Sequence, residues 1–159
     1  MLIMFLRRFG HHVVVRAPAK LNLFLEILGK REDGYHELET LMTTAGLFDS
    51  IELAPVGSGE LSLQVGWAPG FNAASTSARA QGHPTVWEPI PDGPENLVCR
   101  ALERLRQRAG LARGAAIRLT KCIPAAAGMG GASADAAAAL LAGNALWSLG
   151  WSRARLTEV

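Results

Sequence analysis

Apolar and polar residues alternate along much of the N-terminal half of the chain, the period-two pattern of strands with one face against a core. Residues 13–28 open with Val13, Val14 and Val15 and predict extended chain interrupted at Pro18. Within it Ala19, Leu21, Leu23 and Leu25 share one face while Lys20 and Asn22 share the other. Same-face neighbours stand roughly 6.5–7 Å apart, so both polar groups can grip one ligand. Residues 29–34 form a charged turn closed by Asp33-Gly34, a pair that favours positive φ and a reversal of the chain. Residues 38–42, 49–53 and 61–65 alternate as further strands.

Downstream the period changes. Residues 96–105 place Leu97, Arg100/Ala101 and Arg104/Leu105 at helical spacing, which predicts an amphipathic helix ending near Gly110. Asn96 follows Pro94 and suits the helix cap. Residues 116–123 alternate as a strand that runs into Pro124, and residues 134–149 predict an alanine-rich helix with Leu140, Leu141 and Leu146. That helix is apolar on nearly all sides, which implies burial. Residues 66–94 have no period and are rich in Gly, Pro, Ser and Ala, the pattern of an irregular insertion. Residues 1–12 read as a ragged N-terminal extension, too short to span a bilayer and with Arg7 and Arg8 on the wrong side for a secretory signal.

A chain of 159 residues that is 49% hydrophobic and 19% charged is expected to form one globular domain. Its net charge of +2 is too mild to argue for nucleic acid by itself, so no nucleic-acid partner is expected, and Arg100, Arg104, Arg106 and Arg108 are expected on a solvated helix face. Cys99 and Cys122 have no zinc or disulfide spacing. Reduced thiols, a cytoplasmic location and no membrane partner are the expectation.

The strongest chemical signal is Pro124-Ala125-Ala126-Ala127-Gly128-Met129-Gly130-Gly131-Ala132-Ser133-Ala134-Asp135, a glycine-rich loop leading straight into a helix. Glycines let the backbone turn its N–H groups inward, and a helix N-terminus adds unpaired donors and the positive dipole end. An anion such as a nucleotide phosphate is stabilised there without a charged side chain. The loop lacks the Lys-Ser or Lys-Thr pair of a P-loop and the spacing of a dinucleotide fingerprint. A tight strand-to-helix connection remains the alternative.

The pattern Pro-x-x-x-Gly-Met-Gly-Gly-x-Ser resembles the central motif of the GHMP small-molecule kinases, which include galactokinase, homoserine kinase and mevalonate kinase. Residues 17–23 and the Asp33-Gly34-Tyr35-His36-Glu37-Leu38-Glu39-Thr40 segment extend the resemblance along almost the whole chain from Val13. Together they are similar to one branch of that family, whose members use ATP to phosphorylate a tertiary hydroxyl of a cytidine diphosphate conjugate of methylerythritol in non-mevalonate isoprenoid synthesis. The implied fold is α+β, the N-terminal GHMP kinase domain over residues 13–159, similar to the second domain of ribosomal protein S5, with a mostly antiparallel sheet backed by helices.

Several roles are implied by the resemblance alone. Lys20 matches the family's active-site lysine and Asn22 a substrate hydrogen-bonder, while Tyr35 and His36 match the residues that hold the cytosine. Asn96 and Leu97 match an element bordering the adenosine, Lys121 a residue near the adenine, and Pro124 through Ala134 the phosphate loop. Ser133 is placed to offer its hydroxyl to phosphate or Mg²⁺, with helix capping as the alternative. Ala132 and Ala134 stand where Gly and Ser are commoner.

The family's lysine works with an aspartate found beyond the loop helix, in a Gly-Ala-Asp-Val-Pro-like segment that these 159 residues do not contain. Asp135 does not match it; it is expected in the first turn of the loop helix, where a carboxylate favours the dipole. The chain therefore corresponds to the N-terminal half of such kinases without the C-terminal GHMP domain, and is expected to be weak or inactive alone. A non-catalytic nucleotide-binding fragment, an RNA-binding module of the same fold and a GHMP kinase for another small alcohol remain the rival readings.

Overall fold

The computed structural model describes residues 4–71 and 90–159. Strands β1 (Phe5–Phe9), β2 (His12–Lys30), β3 (His36–Val56) and β4 (Leu61–Trp67) are followed by helix α1 (Leu97–Arg108), strand β5 (Gly114–Lys121), helix α2 (Gly131–Leu146) and the short helix α3 (Arg153–Leu156). Most of the irregular insertion expected over residues 66–94 lies outside the described residues; residues 66 and 67 end β4.

Where the alternation suggested separate strands at 38–42 and 49–53, the chain forms the single strand β3, paired with β2 from His36 to Leu53. Register shifts at Pro18/Lys20, Asn22/Phe24 and Ile27/Gly29 keep so long a pair together. A bulge is also where a strand tolerates proline, which has no N–H to give to the ladder. The N-terminal extension is ordered rather than ragged over residues 5–9. Gly10 takes φ +58 and turns β1 back on β2, pairing Phe5 with Arg16, and the Phe5 ring meets Phe48 edge-on at 5.8 Å.

The sheet order is β1-β2-β3-β5-β4, antiparallel throughout except for the β4–β5 pair. One face carries Val13, Val15 and Ala17 of β2, Ile51 and Leu53 of β3, and Ala115, Ile117 and Leu119 of β5, all buried. Helix α1 covers them with Val98, Leu102 and Leu105, and α2 with Ala138, Ala139 and Ala142. Each large aliphatic side chain removed from water there contributes about 1.5–3 kcal/mol. The helices approach so closely that a Cβ on Gly143 would lie 2.7 Å from Leu102 Cδ2, so α2 needs its small residues to pack.

The buried face of α1 is not quite the expected one, because Leu97 is exposed and Val98 takes its place in the core. Helix α2 is buried on one face, with Leu140, Leu141 and Leu146 half-buried rather than enclosed. Beyond Ala19 the β2–β3 pair leaves the core altogether. Residues 21–43 are all exposed and form a projecting hairpin arm with Leu23, Phe24, Ile27 and Leu41 open to solvent.

Candidate functional site

Strand β5 ends at Lys121 and releases the chain into the glycine-rich loop. Ala126, Gly128 and Gly130 take φ +57, +71 and +70, left-handed conformations that turn successive peptide groups the same way. Gly130 is the N-cap of α2, so the helix starts at Gly131, three positions before the hydrophobic pattern places it. Ser133 therefore sits inside the first turn and is not the cap. The first helical bond runs from Ala134 N–H to Gly130 C=O at 3.0 Å, which leaves the amides of Gly131, Ala132 and Ser133 unused by the helix. Residues 126–128 are exposed, so the cradle is open.

Lys20 stands beside this loop. Its backbone N–H donates to Met129 C=O at 2.9 Å, and its side chain runs so close to Gly130 that a Cβ there would meet Lys20 Cγ at 3.0 Å. Together they wall a cleft of about 450 Å³, completed by Pro18, Met42, Thr44 and Ser133. Among the described residues the Lys20 ammonium has no carboxylate partner. Asn22 is exposed on the arm and is not part of the cleft wall.

Tyr35 and His36 lie at the far tip of the arm, where the Asp33-Gly34 turn forms as expected. Gly34 takes φ +85, Asp33 Oδ1 accepts the Tyr35 N–H at 3.1 Å, and Arg31 pairs with Asp33 at 2.6 Å. Tyr35 is 74% exposed, and neither residue reaches the Lys20 cleft.

On the other side of the loop is a smaller cavity of about 220 Å³, lined by Asn96, Leu97, Lys121, Ala125, Ala132 and Asp135 among others. Asn96 is the α1 cap, its Oδ1 accepting from Val98 N–H at 2.9 Å while its Nδ2 donates to Pro91 C=O at 2.6 Å. Both ends of that side chain are thus committed within the fold. A larger hollow of about 700 Å³ lies away from the loop between β4 and α1; Arg106 on its wall is paired with Glu103 and bonds Gly59 C=O.

Two carboxylates below the loop escape a reading of the sequence. Asp49 is fully buried, accepts the N–H groups of Cys122 at 2.6 Å and Ile123 at 2.9 Å through Oδ1, and pairs with Lys121 through Oδ2. Asp135 is not in the first turn of α2 facing the dipole, as expected, but one turn further on, buried and paired with Lys121 Nζ at 2.6 Å. Burial drives its pKa from the ordinary 3.8 up to about 7, with the Lys121 charge opposing and Asp49 reinforcing. The one available signal was a lone acid in an otherwise uncharged alanine-rich helix; nothing in the sequence pointed to Asp49.

Residues 96–159 match the model of the GHMP kinases N terminal domain. A solved structure of a 4-(cytidine 5'-diphospho)-2C-methyl-D-erythritol kinase superposes with a TM-score of 0.65 at 35% identity over 98% of this chain. The fold is that of the GHMP kinase N-terminal domain. The homoserine kinase of Cytophaga hutchinsonii, at 18% identity and TM-score 0.65, shares the GHMP fold as well. In sequence the domain is 46% identical over 147 residues to the 4-diphosphocytidyl-2-C-methyl-D-erythritol kinase of Pelotomaculum thermopropionicum, covering 92% of this chain and 44% of that protein. The chain thus spans less than half the length of the curated relatives it matches. No helix among the described residues is long and apolar enough to cross a membrane.

Proposed function

We propose that this GHMP domain is the nucleotide-binding part of a kinase that transfers the terminal phosphoryl group of ATP to the 2-hydroxyl of 4-diphosphocytidyl-2-C-methyl-D-erythritol. The observation that carries the reading is the Lys20 backbone bond to Met129, which sets an unpaired lysine at the rim of the open amide cradle. Phosphoryl transfer asks a protein mainly to position the reactants and to neutralise developing negative charge. The amides of residues 128–133 supply donors for the phosphates, and the Lys20 ammonium supplies charge beside the acceptor hydroxyl. Asn22, Tyr35 and His36 are assigned to the substrate. Asn96, Leu97 and Lys121 are assigned to the nucleoside through the smaller cavity. Because the ends of Asn96 and the Lys121 ammonium are already bonded, their contribution there is shape more than new hydrogen bonds.

Mg²⁺ fits as a companion of the nucleotide rather than as a resident ion. Among the described residues no group of three or more His, Cys, Asp or Glu could hold a metal, and the cleft offers the Ser133 hydroxyl. Mg²⁺ keeps several waters and is commonly held by substrate phosphates with few protein ligands, and when bound it would neutralise phosphate charge. Lys20 and the loop amides act from the protein side.

Titration calorimetry with Mg-ATP, followed by a radiolabelled phosphoryl-transfer assay with the cytidine conjugate, tests the proposal. Nucleotide uptake by the chain is the expected result, with weak or no transfer. No uptake by folded protein would refute the assignment. Binding whose loss of transfer is not restored by a longer form would favour the non-catalytic reading.

A further inference from the structure

The nucleotide reading leaves unexplained why a lysine and two aspartates are buried beneath a loop whose proposed work is done by its backbone. Lys121 is 4% exposed, Asp49 0% and Asp135 3%. Two buried carboxylates against one ammonium are a poor stabilising arrangement, because desolvating the charges offsets most of their attraction. Asp135 Oδ1 even lacks a hydrogen-bond partner among the described residues. What the cluster does accomplish is geometric.

Asp49 fixes the entrance of the loop through the consecutive amides of Cys122 and Ile123. Lys121, the last residue of β5, reaches past the loop to Asp135 on α2, so one ammonium joins strand β3, strand β5 and the helix that receives the chain. Gly131 permits this, since a Cβ there would lie 3.3 Å from Lys121 Nζ and 3.1 Å from Ile123 Cγ2. Between the clamped ends the loop holds Ala126 at φ +57, a conformation an alanine keeps only when its surroundings over-determine it.

We propose that Asp49, Lys121 and Asp135 are positioning residues that hold the loop with its amides turned toward the anion. The proposal rests on the nucleotide reading for its purpose, not for its geometry. Asp49 acts through the Cys122 and Ile123 amides and Asp135 through Lys121; because Asp135 also lines the smaller cavity, loop exchange measured without nucleotide is the readout that isolates its hold on the loop.

The test uses the full chain and two variants, Asp49→Asn and Asp135→Ala, with hydrogen exchange of the amides from Cys122 to Gly131, Pro124 having none, and Mg-ATP calorimetry. Removing Asp135 relieves the excess of buried negative charge, so that variant should unfold no earlier than the parent. Its loop amides should nonetheless exchange about tenfold faster, and Mg-ATP should bind about tenfold more weakly, as loss of a charged hydrogen bond implies. Asp49→Asn should show the same loop signature with lower stability, and if it fails to fold, Asp135→Ala alone decides. Unchanged loop exchange in a folded Asp135→Ala protein overturns the clamp. A parent chain that binds no nucleotide, while its variants still loosen the loop, overturns the nucleotide reading and leaves the clamp standing.

Discussion

The backbone N–H of Lys20 is hydrogen-bonded at 2.9 Å to the carbonyl of Met129, a residue more than a hundred positions away in the sequence. That bond ties the strand carrying the lysine to the loop proposed to carry the phosphates. Their separation is therefore set by main-chain geometry. The flexible side chain of Lys20 only completes it.

Gly130 is where this relationship is most easily broken. Gly128 and Gly130 share a left-handed φ, which costs an L-residue about 1–2 kcal/mol. A Cβ at Gly128 meets nothing within 4 Å, whereas one at Gly130 meets the Lys20 side chain at 3.0 Å. Gly128→Ala should therefore lose stability alone. Gly130→Ala should also displace Lys20 and lower any phosphoryl transfer, whereas folded Gly128→Ala protein should keep it; equal losses would remove Lys20 from the explanation.

Asp135 gives a pH dependence with a defined sign. Its carboxyl titrates at about 7 in the fold against 3.8 normally, so the folded protein holds that proton more tightly than the unfolded chain does. The stabilisation is complete below about pH 4 and is lost as the pH rises to about 7, with a slope of at most about 1.4 kcal/mol per pH unit for one proton. The difference in Tm between Asp135→Asn and the parent should grow in the variant's favour from about pH 5 to about pH 8. Parallel Tm profiles would contradict the assignment.

The cap of α1 has a separate stability value. Replacing Asn96 with Ala removes the acceptor for Val98 N–H and the donor to Pro91 C=O. A cost of about 1 kcal/mol and a Tm lower by roughly 2–4 °C is expected, while Asn96→Asp should keep the Val98 cap but lose the Pro91 bond and so recover only part of the stability. Thermal melts of the two variants compare them directly.

The tip of the arm should be separable from the loop. Tyr35→Ala and His36→Ala change exposed side chains that touch neither cavity, so Tm and Mg-ATP affinity should stay close to the parent, within about 0.5 kcal/mol. Calorimetry with the cytidine conjugate should show its binding lost. Retained binding in both variants would take Tyr35 and His36 out of the substrate site.

Local signals carried much of this molecule. The Asp33-Gly34 turn and the Asn96 cap are short-range features in which a few residues state their own conformation, and both formed as read; strand alternation found extended chain but not its buried face, since residues 21–43 are exposed. The start of α2 was misplaced because Gly131 lowers helical propensity, yet Gly130 provides a left-handed cap and Gly131 fits over Lys121. The continuity of β3 was hidden because bulges reset its hydrophobic phase. Asp49 was illegible for a different reason. Its partners are more than seventy residues downstream, and a single aspartate before a strand looks the same whether it ends in water or beneath a loop.

The three bulges of the long hairpin carry one further consequence. Along a pleated ribbon, orientation is a matter of parity, and each added residue reverses it. The direction in which Tyr35 and His36 point is thus phased to Lys20 by the exact residue count and by the two one-residue register shifts between them, at Asn22/Phe24 and Ile27/Gly29. Inserting or deleting one residue in that ribbon would invert everything distal to it while leaving the buried body intact, making the arm intolerant of length changes despite being fully bathed in solvent.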